Sequence, residues 1–438
     1  MQTLQQLHSG ELKGTKILKL SCNLISFPTE IFDLADTLEI LDLSNNQLTQ
    51  LPDNFGEFKK LKIAFFSDNN FTEFPKVLSE CPSLTMIGFK SNQIKHIPEN
   101  SFPVDLQWLI LTNNCIEEIP KSIGHCMKLQ KVAFAGNKLK ELPIEMENCK
   151  NIELLRISAN NINEIPKWLL TLPRLSWLAF SGNPCSENNL AKPEFQKINW
   201  NDITIKEQLG EGASGIISKA LWNKNGDHTE IAIKVFKGEV TSDGYPEDEI
   251  NTCISVGFHK NLVNVIGILT NHPTQKKGLL FDLIPPSFKN LAGPPSFDTC
   301  TRDVFKQDAF FTFESILIIT KSVADACFHL HSKGIMHGDL YAHNTLIDDN
   351  SKTIFGDFGA ATIYDLKENK APYFERLDVN AFGYLIEDLL NTISSEPISA
   401  NKKNALLKLK ENCIKEKILD RPNFKEIIKE LNSISNSI

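Results

Sequence analysis

Several features that would assign this chain to a special class are missing from its sequence. The most apolar stretch, Ser315 to Leu330, is interrupted by Lys321, Ser322 and Asp325, so no run of roughly 18 apolar residues is available to span a membrane. The N-terminus has no basic stretch followed by an apolar run, so no secretory signal is expected. Lysine and arginine (46) are outnumbered by aspartate and glutamate (54) and form no basic run, which argues against nucleic acid as the main partner.

Cysteine pairs are missing as well. The ten cysteines are scattered singly, without CxxC pairs or a spacing typical of zinc ligands. They predict free thiols in a reducing compartment, and together with the missing signal and membrane segments they predict a cytoplasmic protein. The hydrophobic (41%) and charged (23%) fractions are ordinary for a globular protein, and 438 residues are enough for two or more domains.

What the sequence does contain, first, is a recurring asparagine. The spacing is 23 residues and once 22, and an apolar frame such as Leu38, Leu41 and Leu43 precedes each asparagine. The series is Asn23, Asn46, Asn69, Asn92, Asn114, Asn137, Asn160 and Asn183. Stacked repeats bury such apolar positions in one continuous core, while the asparagine side chains satisfy backbone groups where the chain turns outward. Residues 1–185 are therefore predicted to form a solenoid of about eight repeats.

The pattern LxxLxLxxN, followed by an apolar-Pro step such as Leu51-Pro52, resembles the leucine-rich-repeat family. The resemblance implies an α/β solenoid with parallel β-strands on its concave face. Residues that flank the frame leucines would lie on that face, where an apolar, tryptophan-containing surface is typical of protein binding. The predicted contacts with a protein ligand are Ile40, Phe65, Trp108, Ile110, Arg156 and Trp177. The alternative is that the same face packs against the C-terminal part of the chain.

The repeat period stops after Cys185. Residues 186–200 are polar with one proline and predict a short connector that caps the last repeat. Residues 201–438 are then predicted to form a second domain.

A glycine motif opens this second domain. The segment LGEGASGII carries Gly210, Gly212 and Gly215 between isoleucine-rich stretches that predict strands. Glycine lets backbone amides approach phosphate oxygens, although a tight hairpin would also need glycine. Lys234 follows in the apolar stretch IAIKVF, where a lone lysine is costly to bury without an anionic partner.

Two further motifs carry acidic and amide side chains. His337 to Asn344 reads HGDLYAHN, and Asp357-Phe358-Gly359 follows eighteen residues after Asp339. This spacing suits a hairpin that joins two parts of one site. Phosphoryl transfer needs a carboxylate that orients the attacking hydroxyl, and oxygen ligands that hold magnesium on the phosphates.

These elements, with the DRPNF segment that contains Arg421, occur in the order and near the spacing of the protein-kinase family, which the second domain resembles. The resemblance implies an α+β bilobal domain that uses ATP and Mg²⁺ and phosphorylates a protein substrate, with serine or threonine as the expected acceptor. Asp339 would orient the acceptor hydroxyl. Asn344 and Asp357 would be the metal ligands.

The same resemblance implies the nucleotide site. Lys234 would hold the α and β phosphates and pair with a helix glutamate, for which Glu249 is favoured over Glu247. Phe281 would be the gatekeeper beside a hinge at 282–284. The predicted nucleotide-binding residues are Leu209, Gly210, Gly212, Gly215, Ile217, Ala232, Lys234, Glu249, Phe281 and Leu283. Arg421 is expected to pair with Glu375 as a structural contact.

Some positions depart from the protein-kinase pattern. Gly338 replaces an arginine that reads loop phosphate in many kinases, Tyr341 stands where serine/threonine kinases usually keep a lysine, and His343 takes the position of the tyrosine-kinase arginine. The segment after Asp357 is short and lacks a clean APE motif. Two alternatives therefore stay open: a pseudokinase scaffold, and a small-molecule phosphotransferase of the aminoglycoside or choline type, whose HGDLxxxN motif is similar.

Overall fold

The computed structural model describes residues 2–186, 194–394 and 399–436, apart from the single positions 213, 225, 239, 242, 298 and 308. The chain forms two compact units. One comprises the residues up to Leu172 with Asn183–Cys185, and the other comprises Pro173–Gly182 with the residues from Ser186 onward. The predicted connector, 186–200, lies partly outside the described residues, and its end at Lys197–Asn199 is a β-strand of the second unit.

The repeats build a parallel sheet. In the described part of the chain eight short strands, β1 to β8, lie side by side in sequence order, with Ile40 opposite Ile63 and Met86 opposite Trp108. The strands span Ile17–Lys19, Ile40–Asp42, Ile63–Phe65, Met86–Gly88, Trp108–Ile110, Lys131–Ala133, Leu154–Arg156 and Trp177–Ala179. A short helix, α1 (Leu4–His8), precedes them and is capped by the side chain of Thr3. The predicted solenoid with parallel strands is confirmed.

Buried asparagines connect successive repeats. The Asn69 Oδ1 accepts a hydrogen bond from the Leu48 amide (2.9 Å), and its Nδ2 donates to the carbonyls of Leu43 (2.9 Å) and Phe66 (3.1 Å). The same bridging recurs at Asn46, Asn92, Asn114, Asn137, Asn160 and Asn183. Each side chain therefore satisfies backbone groups that the outward turn leaves open.

Asn23 is an exception to this series. It is exposed and has a φ of 59°, the left-handed conformation that later repeats assign to the residue before the asparagine, such as Asn45 (φ 58°). Relative to the paired strands, the left-handed residue of the first repeat therefore lies one position later, at Asn23 itself, and Asn23 serves the turn instead of the core.

The repeat prolines begin the outer side of the solenoid. Five of them lie in an extended conformation directly before a short 3₁₀ helix, where the missing N–H costs no hydrogen bond: Pro28, Pro52, Pro75, Pro120 and Pro143. These 3₁₀ helices span Thr29–Leu34, Asp53–Glu57, Lys76–Glu80, Lys121–His125 and Ile144–Asn148. The apolar-Pro steps seen in the sequence are the sites where the chain turns from strand to helix.

The first part of the second unit is a mixed sheet with one packed helix, α2 (Pro246–Val256). The strand order is β10-β11-β12-β14-β13-β9, with β9 joined to β13 in parallel and the other pairs antiparallel. The strands are β9 (Lys197–Asn199), β10 (Ile203–Glu211), β11 (Gly215–Lys224), β12 (Asp227–Phe236), β13 (Val265–Thr270) and β14 (Gly278–Asp282). Its core contains Trp222, Ile231, Ile233 and Leu280.

The remainder of the second unit is mainly helical. Helices α3 (Phe313–Ser332), α4 (Ala371–Asn391), α5 (Ala400–Cys413) and α6 (Phe424–Asn436) pack together, and Gly383 of α4 allows this because a Cβ there would press on Ile414 and Cys413. Short strands pair beside them: β15 (Lys289–Asn290), β16 (Ile335–Met336), β17 (Thr345–Ile347), β18 (Thr353–Phe355) and β19 (Thr362–Ile363). The predicted bilobal α+β domain is confirmed.

Among the described residues, no helix combines the length and apolar character that crossing a membrane requires. All ten cysteines lie within the described residues, and each is a free thiol. Burial raises the pKa of the Cys149 thiol to about 11, which keeps it protonated and unreactive.

Candidate active site

Lys234 lies in a buried ion pair. Strand β12 carries the lysine into the interior, and its Nζ lies 2.5 Å from the Glu249 Oε1 of α2. Burial alone would favour a neutral amine, but the carboxylates of Glu249 and Asp357 outweigh it and raise the pKa of Lys234. Glu247, the alternative partner, is half exposed and pairs with Lys277 instead.

The sheet register gathers several predicted nucleotide-binding residues on one face. Ile217 of β11 lies opposite Lys234, and Ala232 of β12 lies opposite Phe281 of β14. Residues that face each other across antiparallel strands, and residues two apart on one strand, share a face of the sheet. Ile217 is 36% exposed and Leu209 is 50% exposed, so large apolar side chains beside this face are available to a flat aromatic ligand.

The three motif glycines differ in whether the surrounding protein leaves room for a side chain. At Gly215 a Cβ would lie 2.8 Å from the Val235 carbonyl oxygen and 3.3 Å from the Lys234 Cγ, so a larger residue would displace the lysine. At Gly210 and Gly212 a Cβ would meet no heavy atom of the described residues within 4 Å. Packing within the protein therefore does not explain these two glycines, whereas the close approach of a phosphate to their backbone would.

A second group of side chains surrounds Asp339. The Asn344 Nδ2 donates to both the Asp339 carbonyl (3.0 Å) and its carboxylate Oδ2 (2.9 Å). The hairpin formed by β17 and β18 then returns the chain to this point, where the Gly356 amide donates to the Asn344 carbonyl (3.1 Å). The next residue is Asp357, which has a φ of 61° and accepts a hydrogen bond from the Gly359 amide (3.2 Å). The structure thus brings Asp339, Asn344 and Asp357 together through the hairpin that their spacing predicts.

The oxygens at this point suit a magnesium ion that is shared with phosphates. Asn344 and Asp357 offer an amide oxygen and a carboxylate, the ligand types that Mg²⁺ takes alongside phosphate oxygens and water. Because the Nδ2 of Asn344 is engaged by Asp339, its Oδ1 remains the free end of the amide. The described residues contain no group of three or more histidine, cysteine, aspartate or glutamate side chains that could hold an ion without a nucleotide.

Asp378 of α4 organises the backbone before Asp339. Its buried carboxylate accepts hydrogen bonds from the His337 amide (2.7 Å), the Gly338 amide (3.0 Å) and the His331 Nε2 (2.9 Å). Burial lowers the pKa of His337, so its ring is neutral and its Nδ1 can accept from the Asp339 amide (3.2 Å). The backbone on both sides of position 337 is therefore held by one carboxylate from α4.

Asp303 contacts the loop that follows Asp339, and the sequence did not indicate this contact. Its carboxylate accepts hydrogen bonds from the amides of Ala342 (2.5 Å) and His343 (3.3 Å), and it lies 2.7 Å from the His343 Nδ1. No motif surrounds Asp303 in the sequence, and it lies about forty residues before its partners, so local pattern offered no signal.

Two residues of the predicted ligand-binding face need correction. Trp177 is 1% exposed and stacks on Tyr341, so it is not available to a protein partner. Arg156 is 6% exposed and is buried as well. Strand alternation correctly gave the face on which these side chains lie, but it cannot tell which part of a face is covered. Ile40, Phe65, Trp108 and Ile110 keep partial exposure.

The expected pair between Arg421 and Glu375 is also wrong. Arg421 is buried and donates to the carbonyls of Lys415 (2.7 Å), Arg376 (3.1 Å) and Pro173 (2.7 Å). Glu375 lies in α4 and accepts from the Phe424 amide at the start of α6 (2.9 Å), where a carboxylate satisfies an open N–H. Burial lowers the pKa of Arg421 to about 10.

Two known protein families match parts of this chain. The family described as protein tyrosine and serine/threonine kinase matches residues 203–380, and the family described as leucine rich repeat matches residues 37–58. The first of these ranges contains every predicted catalytic, nucleotide-binding and metal-binding residue.

Similar proteins include two receptors and a probable serine/threonine-protein kinase. The angiopoietin-1 receptor of Danio rerio is 23% identical over 283 residues, which are 54% of this chain and 25% of the receptor. The fibroblast growth factor receptor 1 of Pleurodeles waltl is 25% identical over 303 residues, 57% of this chain and 36% of the receptor. A probable LIM domain-containing serine/threonine-protein kinase of Dictyostelium discoideum is 25% identical over 289 residues, 56% of this chain and 41% of that protein. The chain therefore matches well under half the length of each of these relatives.

Proposed function

We propose that this chain, which carries a protein-kinase domain behind leucine-rich repeats, transfers the γ-phosphate of ATP to a hydroxyl group of a protein substrate. The observation that carries the proposal is the buried Lys234–Glu249 pair, which holds a charged ammonium on the face shared by Ile217, Ala232 and Phe281. Burying a charge pair carries a desolvation cost, and ionisable groups with perturbed pKa values cluster at functional sites.

The residues divide the work as follows. Bound ATP with Mg²⁺ supplies the phosphoryl group and neutralises its charge. Lys234 binds the α and β phosphates, and Glu249 holds the lysine in place. Asn344 and Asp357 would hold the metal through their oxygens. Asp339 accepts the hydrogen bond of the substrate hydroxyl and orients it, while Asn344 holds the Asp339 carboxylate in a fixed rotamer.

Serine or threonine is the acceptor that we propose. The chain lacks an arginine at position 343, where the tyrosine-kinase pattern has one. Phosphoamino-acid analysis of the labelled product tests this directly. Phosphotyrosine as the main product would overturn the acceptor assignment and leave the phosphoryl transfer intact.

Transfer from labelled ATP with Mg²⁺ to a generic protein acceptor, with self-labelling measured in parallel, tests the activity. Lys234→Met and Asp339→Asn should each lower the rate by about 100-fold or more, because each removes a group that acts on the transferred phosphate or the acceptor. Lys260→Met is the matched control, since Lys260 forms an exposed ion pair with Asp325 away from the site (3.3 Å) and its loss should leave the rate unchanged.

The two alternatives give different results in the same experiment. ATP binding that depends on Lys234 but is followed by no transfer would support a pseudokinase. Label that appears in a small molecule of a metabolite mixture, and never in protein, would support a small-molecule phosphotransferase.

We also propose that the repeats bind a protein on the sheet surface that includes Ile40, Phe65, Trp108 and Ile110, because these side chains keep partial exposure on one face. Substitution of Phe65 and Ile110 together by serine should weaken capture of a purified partner and leave phosphoryl transfer to a generic acceptor unchanged.

The free thiols support a reducing compartment such as the cytoplasm.

A further inference from the structure

The segment Pro173–Gly182, which carries β8, contacts the backbone and side chains next to Asp339. The Trp177 ring stacks on Tyr341, with ring centroids 4.4 Å apart and an angle of 8° between the ring planes. The Trp177 Nε1 also donates to the Leu340 carbonyl (3.0 Å). One side chain therefore holds the two residues that directly follow the proposed catalytic carboxylate.

Gly338, on the other side of Asp339, is explained by the same segment. Its φ is 68°, and a Cβ at this position would overlap the carbonyl oxygen of Leu178 and lie 3.1 Å from that of Ala360. No arginine fits here, because any side chain would meet this backbone and would be strained by the left-handed conformation. The departure from the kinase pattern at Gly338 thus follows from the close approach of Leu178.

Both ends of the segment are held in the second unit by specific contacts. At its start the Pro173 carbonyl accepts a hydrogen bond from Arg421 (2.7 Å), and the Ser176 Oγ accepts one from the Asn380 Nδ2 (2.8 Å). Near its end Phe180 stacks on Phe374, with centroids 5.3 Å apart. Because these contacts hold the segment at both ends, it can fix the position of the residues beside Asp339 that it touches.

The chain between Asp357 and the start of α4 offers no accessible site for a regulatory phosphate. Thr362 and Tyr364 are the hydroxyl residues of this stretch, all of which the structure describes, and both side chains are buried. The Tyr364 hydroxyl lies 2.9 Å from the His331 Nδ1, and burial raises the pKa of the phenol. Ordering of the catalytic loop by phosphorylation of this stretch would require both residues to leave the core.

We propose that Pro173–Gly182 positions the catalytic loop permanently, in the place of a phosphorylated segment after Asp357, and that Trp177 is the positioning residue through which it acts. The inference rests on the proposed kinase function. It implies that the enzyme needs no prior phosphorylation of its own chain and that its activity depends on a segment outside the range that matches the kinase family.

Steady-state kinetics of the full chain test the role of Trp177. Trp177→Ala should lower kcat by about 10-fold to 100-fold, because a small displacement of Asp339 costs a large factor in rate, and should leave the KM for ATP unchanged. Trp177→Phe keeps an aromatic stack but loses the hydrogen bond to Leu340, so it should fall between the wild type and the alanine variant. Trp168→Ala, which changes a tryptophan outside the segment, should behave as the wild type.

A merely structural role for Trp177 predicts something different. The nucleotide-binding stoichiometry of Trp177→Ala gives its folded fraction, and the rate is then expressed per folded molecule. A full rate per folded molecule, or equal losses in kcat and in ATP affinity, would overturn the proposal.

Hydrogen exchange gives an answer that does not depend on activity. In Trp177→Ala, amides of residues 337–344 should exchange at least about 10-fold faster, while those of β12 keep their protection. Unchanged exchange in residues 337–344 would overturn the positioning role. If the wild type proved inactive but Trp177→Ala still showed faster exchange in these residues, only the proposed kinase function would be wrong.

Phosphatase treatment should leave the rate of the wild type unchanged. A loss of activity that maps to phosphate on Thr362 or Tyr364 would contradict the proposal.

Discussion

At the scale of single residues, His343 has a raised pKa because of a contact that the sequence motif does not indicate. Its Nδ1 lies 2.7 Å from the Asp303 carboxylate, and its ring is 5.0 Å from that of Tyr341. Burial disfavours the charged ring, but the hydrogen bond and charge of Asp303, together with the charges of Asp339 and Asp357, outweigh it and raise the pKa of His343. This more basic ring lies in the loop where Tyr341 stands in place of the usual lysine.

The raised pKa predicts how stability depends on pH. The His343–Asp303 contact contributes fully below the unfolded histidine pKa of about 6.5, and its contribution is lost as the pH rises through the higher folded value. The free energy of unfolding of the wild type should therefore exceed that of His343→Asn most at pH 6, and this difference should shrink towards pH 9. Urea unfolding at several pH values measures it. Asp303→Asn should remove most of the pH dependence of this difference, and a constant difference across the range would contradict the assignment.

Glu249 offers a second test at this scale. Glu249→Gln would leave the buried Lys234 without its counter-charge, so the free energy of unfolding should fall by about 3 kcal/mol or more and ATP affinity should fall with it. Glu247→Gln is the matched control two residues away on α2. Because its pair with Lys277 is exposed, the change should stay within about 1 kcal/mol. Equal effects of the two variants in urea unfolding would mean that the buried pair is not the anchor.

At the scale of elements, the sequence predicts what is periodic or local. The asparagine spacing predicts the solenoid because each repeat needs the same backbone satisfaction, and only Asn23, at the free end of the series, departs from it. The spacing of Asp339 and Asp357 predicts the hairpin of β17 and β18, since eighteen residues suffice to leave a site and return to it. The local sequence pattern is enough to predict these elements, without knowledge of tertiary contacts.

Contacts between distant segments are what the sequence could not predict. Trp177 and Leu340 are 163 residues apart, and nothing near either residue indicates the hydrogen bond between them. The donors of Arg421 reach backbone carbonyls, which every residue carries, so no side-chain motif marks their partners. Such contacts depend on how complete elements pack, and pattern within one element does not determine them.

At the scale of the whole molecule, the two compact units do not follow the order of the chain. Pro173–Gly182 belongs to the second unit although the repeat pattern runs through it, and Asn183–Cys185 belongs to the first. A ligand that binds only one folded unit stabilises that unit by an amount set by its concentration relative to Kd, about 2.7 kcal/mol at 100 times Kd. The boundary between the units can therefore be found by asking which residues gain protection from a nucleotide.

Hydrogen exchange of the full chain in increasing urea, with and without ATP and Mg²⁺, provides that measurement. We expect nucleotide to raise the urea concentration at which residues 203–380 and residues 173–182 open, because the latter are packed on the catalytic loop and must open with it. Residues 40–172 should open at an unchanged concentration. Lys234→Met should abolish the nucleotide effect in both segments. If residues 173–182 instead opened with the repeats and ignored the nucleotide, Trp177 would not be part of the unit that holds Asp339.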